Sequence, residues 1–286
     1  MLFRSARAEV IKAVKPKDLK AFHKKVFVPN NTVVAVVGDF DSDKMVAGIK
    51  KRTAGWKTGK LPKLDPPAPP EGKPVETIIS EPSAAQLTVY LGHLGIKRDN
   101  PDFYKLLVLD YILGTGTGFT DRLSANLRDR QGLAYTVQAG FTGNAAEEPG
   151  TFTGYIGTFP DKFAEVKAGF LKEITRIRDE PAKEEEIALQ RQYNVGNYLL
   201  SLENTSRTAQ RVQDIDLYGL PADFYKSYAH RMSVVTPAQV EELAKKYLTA
   251  ENVAIVVVGE AKEIKPELDK IGKVIVYDQE LKPVAP

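Results

Sequence analysis

The chain has 286 residues, 43% hydrophobic and 27% charged, with a formal net charge of +3. This is ordinary globular composition, enough for one large domain or two smaller ones, and it excludes a disordered or collagen-like chain. With no cysteine in the sequence, disulfides, iron–sulfur clusters, thiolate zinc sites and thiol nucleophiles are excluded too.

In chain order, the first expected elements are a helix over 16–27, opened by Pro16, and a buried strand over 32–38 built on Val33, Val34, Val36 and Val37. Six prolines then fall between positions 62 and 74. Proline lacks an amide donor and constrains the residue before it, so 61–74 reads as an extended linker, with Trp56 placed to pack on it. Strands are expected at 75–80 and 87–91. A helix at 102–113 carries Phe103, Leu106, Leu107 and Val108 on its apolar side. A second helix, 120–130, ends at Gly132, a residue suited to a left-handed cap. Strands at 133–141 and 151–159 flank a loop over 143–150. Helices follow at 162–178, 183–202, 204–217, 221–231 and 237–248, and strands at 253–259 and 274–277. Interspersed helices and strands, with at least one adjacent hairpin, imply an α+β fold in which a sheet packs on helices.

Several function classes lose support at this level. No aliphatic run approaches the about 20 residues of a membrane helix, and no basic-then-apolar leader follows Met1, so no membrane span or signal peptide is expected. Residues 1–60 hold 14 Lys/Arg against 5 Asp/Glu. A basic head could suggest nucleic acid, but the charges are dispersed as on a solvated helix face, and nucleic acid is not expected as a partner. Gly114, Gly116 and Gly118 alternate in LGTGTGF. A phosphate loop would follow a strand and open a helix; this one follows a helical period and lacks Lys-Ser/Thr. Glu184, Glu185 and Glu186 suit the start of a helix. Of the three histidines, His93 is expected to pack or hydrogen-bond locally, and His23 and His230 to sit on helix surfaces.

The most informative feature is an internal repeat. VKPKDLKAFHKKVFVPNNTVVAVVGD (14–39) aligns without a gap on VTPAQVEELAKKYLTAENVAIVVVGE (235–260), sharing Pro16/Pro237, Asn31/Asn252 and Gly38/Gly259 among its identities. Each copy reads as proline-started helix, turn and buried strand ending in Gly. The offset makes one repeat unit about 220 residues long, so a complete copy follows the linker and only the tail of another precedes it. An isolated helix and strand bury little apolar surface. Residues 1–60 are therefore expected to be poorly ordered unless a partner surface covers the valines.

The stretches LKAFHKKVFVPNNTVVAVVGDF (19–40), LGHLGIKRDNPDFYKLLVLDYILGTGTGFTDRLSANLRDRQGLAYTV (91–137) and 235–260 resemble the M16 metallopeptidase family: insulinase, mitochondrial processing peptidase and bacterial processing proteases. The resemblance implies two homologous domains joined by a linker, each a mostly antiparallel sheet packed against helices. On it, 1–60 is the tail of a truncated first repeat, 61–74 the linker and 75–286 a complete second domain of the inactive type. The family's zinc motif, His-x-x-Glu-His, is missing here. Overlaying the family's motif helix places its histidines near Leu107 and Tyr111 and its glutamate near Asp110. No metal site is expected in this chain, and zinc only in a partner half. That half would lie in the same precursor or on another subunit of a homo- or hetero-oligomer. The resemblance also implies an Arg–Tyr pair, here Arg128 and Tyr135, contacting a peptide substrate and its developing oxyanion. Gly114, Gly116 and Gly118 would let the peptide approach. Arg122 and Arg130 are alternative guanidinium donors. Strand parity keeps a bland reading open, with Tyr135 in the core beside Leu133, Val137, Ala139 and Phe141. The functional alternative is a structural or assembly subunit of the same fold with no role in cleavage.

Overall fold

The computed structural model describes residues 8–63, 76–80, 85–249, 253–270 and 272–284. Its elements are α1 (Ala8–Ala13), α2 (Pro16–Val26), α3 (Ser42–Thr53), β1 (Glu76–Ser80), β2 (Leu87–Leu94) and α4 (Phe103–Leu113). A π helix follows (Ser124–Arg130), then β3 (Ala134–Gly140), β4 (Thr151–Thr158), α5 (Phe163–Asp179), α6 (Glu184–Ser201) and α7 (Thr205–Leu217). The chain closes with α8 (Tyr228–Ser233), α9 (Pro237–Tyr247), β5 (Ala254–Gly259), α10 (Ala261–Leu268) and β6 (Val274–Tyr277). Apart from 61–63, the expected linker lies outside the described residues, as do Val75 and Asn252. No helix among the described residues is long and apolar enough to cross a membrane.

The chain divides into two compact units. The first holds the described residues up to 63 and residues 204–216. Pro16 opens α2 as the repeat requires, and Asp18 accepts the Lys15 N–H at 2.9 Å. Asp41 caps α3, a helix the sequence pattern did not announce, by accepting from Lys44 N at 3.0 Å. Asn30 clasps the Gly59 backbone through both its amide atoms, and Trp56 Nε1 donates to Phe27 O at 3.3 Å. Val28 is the one buried apolar side chain among the described residues of this unit. The expected strand over 32–38 does not form, and Val33, Val34 and Val36 are exposed. A strand exists only through a ladder with a neighbour, and none forms among the described residues, where Val33 O accepts from the Gln213 side chain at 3.4 Å.

The second unit is built on a six-stranded sheet in the order β3-β4-β2-β5-β1-β6. β3, β4, β2 and β5 run antiparallel in turn, and β1 lies parallel to both β5 and β6. One face supplies Leu87, Val89 and Leu91 from β2, Phe152 and Ile156 from β4, and Ile255 and Val257 from β5, all buried. The helices carry the matching apolar stripes: Phe163, Val166, Phe170, Ile174 and Ile177 on α5, and Val240, Leu243 and Ala244 on α9. Gly154 lets the Phe170 ring close onto β4, since a side chain there would collide with the ring. The other face presents Tyr90, Gln138 and Tyr155. This is the expected α+β architecture. In the second copy of the repeat the strand does form, because β5 lies between β2 and β1. One expectation needs correction: 221–231 is helical only from Tyr228. α10, with Pro266 inside it, is a further helix the sequence pattern did not announce.

Candidate functional site

The site is built where α4, the glycine loop, the π helix and β3 follow one another in sequence. The helix expected over 120–130 starts at Arg122 and widens into π geometry over Ser124–Arg130. Gly132 closes it with φ of +61°, its N–H reaching Arg128 O at 3.1 Å, while Leu133 N reaches Leu127 O at 2.8 Å. A left-handed glycine cap of this kind was legible in the sequence; the π register was not. Asn126 and Glu173 pin the π helix to α5 through a 2.7 Å hydrogen bond.

Tyr135 departs from the strand parity that would have buried it. Ala134 pairs with Thr158 and Thr136 with Gly157, so Tyr135 is the extra residue of a β-bulge. A bulge re-aims one side chain while alternation resumes beyond it. Val137, Ala139 and Phe141 are buried as expected, whereas Tyr135 is 78% exposed. The core reading of Tyr135 is thereby overturned.

The three candidate arginines differ in what they already hold. Arg122 is buried and committed to a two-point ion pair with Glu186, at 2.9 and 3.0 Å. Arg122 and the Lys183 N–H outweigh burial at Glu186 and hold its carboxyl below the usual range. Arg130 donates from Nε to Ala125 O at 3.1 Å. Arg128 stays partly exposed, with a loose 3.5 Å contact to Asp129, and its guanidinium lies 3.6 Å over the Phe119 ring. Phe119 is the residue the sequence reading missed. It has φ of +62° and follows Gly118 at +70°. A bulky residue in that region costs about 1–2 kcal/mol, and the cation–π contact offsets about 0.5–2 kcal/mol of it. The available signal was an aromatic residue closing an alternating glycine run.

The three glycines are not equivalent. A side chain at Gly114 would collide with Ala139 N, and one at Gly116 would meet Tyr111 O at 2.7 Å. Both positions are required by internal packing, and Gly114 O also accepts the Ala139 N–H at 3.2 Å. At Gly118 the space is open and the positive φ is the constraint.

A cavity of about 390 Å³ lies between α4, the end of β3 and β4. Leu107, Asp110 and Tyr111, the positions the motif overlay singled out, all line it. They do not suit zinc. Leu107 offers no donor atom, and burial pushes the Tyr111 phenol up, keeping it protonated. Asp110 accepts from Phe141 N at 2.8 Å, Thr142 N at 2.9 Å and Thr142 Oγ1 at 2.6 Å. Through these bonds it ties α4 to the 3-10 turn that ends β3. Burial raises its pKa to about 6, against the opposing pull of those three donors. Among the described residues no three of His, Cys, Asp and Glu come together. His93 packs on Phe152, with ring centroids 5.0 Å apart, and its Nδ1 lies 2.8 Å from Leu94 O. Burial holds its pKa down, and the Leu94 carbonyl opposes that.

Residues 13–194 match the family described as the peptidase M16 inactive domain, and the chain belongs to that family. A protein described as an uncharacterized zinc protease of Streptomyces coelicolor is 27% identical over 249 residues, 84% of this chain and 52% of that one. A Helicobacter pylori protein described as a non-peptidase homolog is 23% identical over 258 residues, 90% of this chain and 58% of that one. The chain thus spans about half the length of the curated relatives it matches. The crystal structure of a peptidase M16 inactive domain from Pseudomonas fluorescens superposes with a TM-score of 0.77 at 26% identity, covering 88% of this chain and 60% of that one. A Helicobacter pylori protease has the same fold, with a TM-score of 0.76 at 20% identity over 88% of this chain and 61% of that one.

Proposed function

We propose that this chain is the non-catalytic, substrate-binding half of a zinc-dependent M16 peptidase system. Residues 1–60 are the tail of a preceding repeat, 61–74 the linker, and 75–286 the second domain. A zinc-bearing half, in the same precursor or on another subunit, performs the cleavage. Peptide lies along the outer edge of β3. Ala139 N on that edge is already taken by Gly114 O, so the edge offered to peptide is the stretch from Tyr135 to Val137. The Tyr135 hydroxyl and the Arg128 guanidinium hold the substrate backbone and stabilise charge developing on its carbonyl oxygen. Phe119 orients the guanidinium.

The observation that carries this reading is the bulge. It lifts a tyrosine out of a strand in which Ala134, Val137 and Ala139 are buried, in the sequence segment that also holds Arg128, whose nearest carboxylate is the loose 3.5 Å contact to Asp129. Bulges of this kind cluster beside active sites. A structural or assembly role is the second reading, supported by the relative described as a non-peptidase homolog.

The test is turnover of the completed enzyme, this chain together with its zinc-bearing half. Reading the coding frame upstream of Met1 for a His-x-x-Glu-His motif identifies whether that half is in the same precursor. Tyr135→Phe and Arg128→Ala are each expected to lower kcat by about 10²–10³, the cost of losing one oxyanion donor, with stability unchanged in Tyr135→Phe and reduced in Arg128→Ala only by the lost Phe119 contact, about 0.5–2 kcal/mol. Unchanged turnover in both variants establishes the structural reading instead.

A further inference from the structure

The two copies of the repeat bury the same positions unequally. With Val14 set on Val235, α2 falls on α9 and residues 32–38 fall on 253–259. In the complete copy Val240, Leu243, Leu248, Ile255 and Val257 are core residues, none more than 4% exposed. Their counterparts Leu19, Phe22, Phe27, Val34 and Val36 are between 42% and 63% exposed. α9 is covered by α4 and α5, and β5 is held between β2, antiparallel, and β1, parallel. Among the described residues nothing equivalent covers α2 or pairs with 32–38. The segment is nevertheless suited to a strand. Thr32 enters it with extended torsions, φ −133° and ψ 123°, and Val33, Val34, Val36 and Val37 follow.

We infer that this face is the docking surface for one partner, a repeat body that lacks its own closing helix and strand, and that this body is the segment preceding residue 1 in a longer precursor. Residues 32–38 enter its sheet as a central strand, with an antiparallel neighbour on one edge and a parallel neighbour on the other. Successive side chains of a strand point to opposite faces. Val34 and Val36 therefore join Leu19, Phe22 and Phe27 in one core, and Ala35 and Val37 turn to the other face. Strand pairing selects the occupant. A complete repeat has this place filled by its own strand, as β5 fills it here with both edges paired. A second copy of this chain, or a subunit made of complete repeats, is thus closed to 32–38. A body without its tail is open to it, and this chain carries the tail. The relatives have room for such a body: the 249 matched residues are 52% of the Streptomyces coelicolor protein, and about 180 residues complete a repeat of about 220. The docking surface rests on reading 1–60 as the tail of a preceding repeat, and not on Arg128 or Tyr135.

The chain has no cysteine, so single cysteines report on the face directly. Val34→Cys, Ala35→Cys, Val36→Cys and Val37→Cys are each labelled with a maleimide, once in the 286-residue chain and once in the precursor extended by the in-frame upstream segment. In the shorter chain Val34→Cys and Val36→Cys are expected to label like an exposed thiol. In the precursor they are expected to label at least about 100-fold more slowly, while Ala35→Cys and Val37→Cys slow by less than about tenfold. Amide hydrogen exchange at 33–37 in the unsubstituted proteins should slow at least about 100-fold in the precursor, and it decides the matter where a substitution disturbs folding. Equal labelling in the two forms, or equal slowing at all four positions, overturns the inference. Protection that grows with the concentration of the shorter chain also overturns it, by making a second copy the occupant. So does an upstream frame that is closed or encodes no M16 repeat. Turnover of the completed enzyme separates this face from the peptide reading. If Val34 and Val36 stay accessible while Arg128→Ala and Tyr135→Phe lower turnover, the docking surface fails and the peptide reading stands. If they are protected and those variants leave turnover untouched, the peptide reading fails and the docking surface stands.

Discussion

Replacing Asp110 with alanine isolates the energetics of the α4 anchor. The folded chain raises the Asp110 pKa from 3.8 to about 6, so between those values it retains a proton that the unfolded chain has released. Stability from this site is therefore full below about pH 4 and declines as pH rises to about 6. Raising the pKa from 3.8 to about 6 makes ionised Asp110 cost about 3 kcal/mol at pH 7, against less than about 1 kcal/mol at pH 4. Alanine removes that cost but strands three buried donors, Phe141 N, Thr142 N and Thr142 Oγ1, at about 1–3 kcal/mol each. Asp110→Ala is thus destabilising at pH 4, and by about 2 kcal/mol less, between neutral and about 6 kcal/mol, at pH 7. Urea unfolding of both proteins at pH 4, 5 and 7 measures the difference, while other carboxylates titrate equally in the two and cancel. Parallel stability profiles would refute the reasoning. A gap that widens towards pH 7 would mean the three donors outweigh burial and hold the carboxyl down.

Two further perturbations probe the frame around the site. Arg122→Met is expected to cost about 1–3 kcal/mol, because it breaks the two-point pair and leaves Glu186 partly buried without its cation; a double-mutant cycle with Glu186→Gln should return a coupling of at least about 1 kcal/mol, and zero coupling contradicts the assignment. The loop glycines should respond unequally to alanine. Gly114→Ala meets backbone at Ala139 and should cost about 1–3 kcal/mol from overpacking, whereas Gly118→Ala meets open space and should cost only the about 1–2 kcal/mol of a left-handed residue. Equal losses in thermal unfolding would show that steric contact is not what distinguishes them.

Sequence alone determined what depends on short-range rules. Proline at the starts of α2 and α9, glycine at position 132 and apolar periodicity located most helices and the strands of the sheet, because each of these acts within a few residues. The absence of a pair of histidines on one helix face was likewise plain from spacing. The repeat exposed a second helix–turn–strand unit, but whether its strand forms depended on neighbours: β5 found β2 and β1, and 32–38 found no ladder. The site was decided by tertiary structure for the same reason. Parity assigned Tyr135 to the core, and only the pairing of β3 with β4, one residue out of step, turned it outward. Arg122 and Arg130 stood as alternatives to Arg128 until Glu186, sixty-four residues from Arg122, took one of them. Phe119 acquired its place through a backbone torsion that no residue pattern fixes, and Asp110 became an anchor only when the end of β3 brought three donors to it. Local chemistry writes the elements; the desolvation and pairing of charges depend on what the fold places beside them.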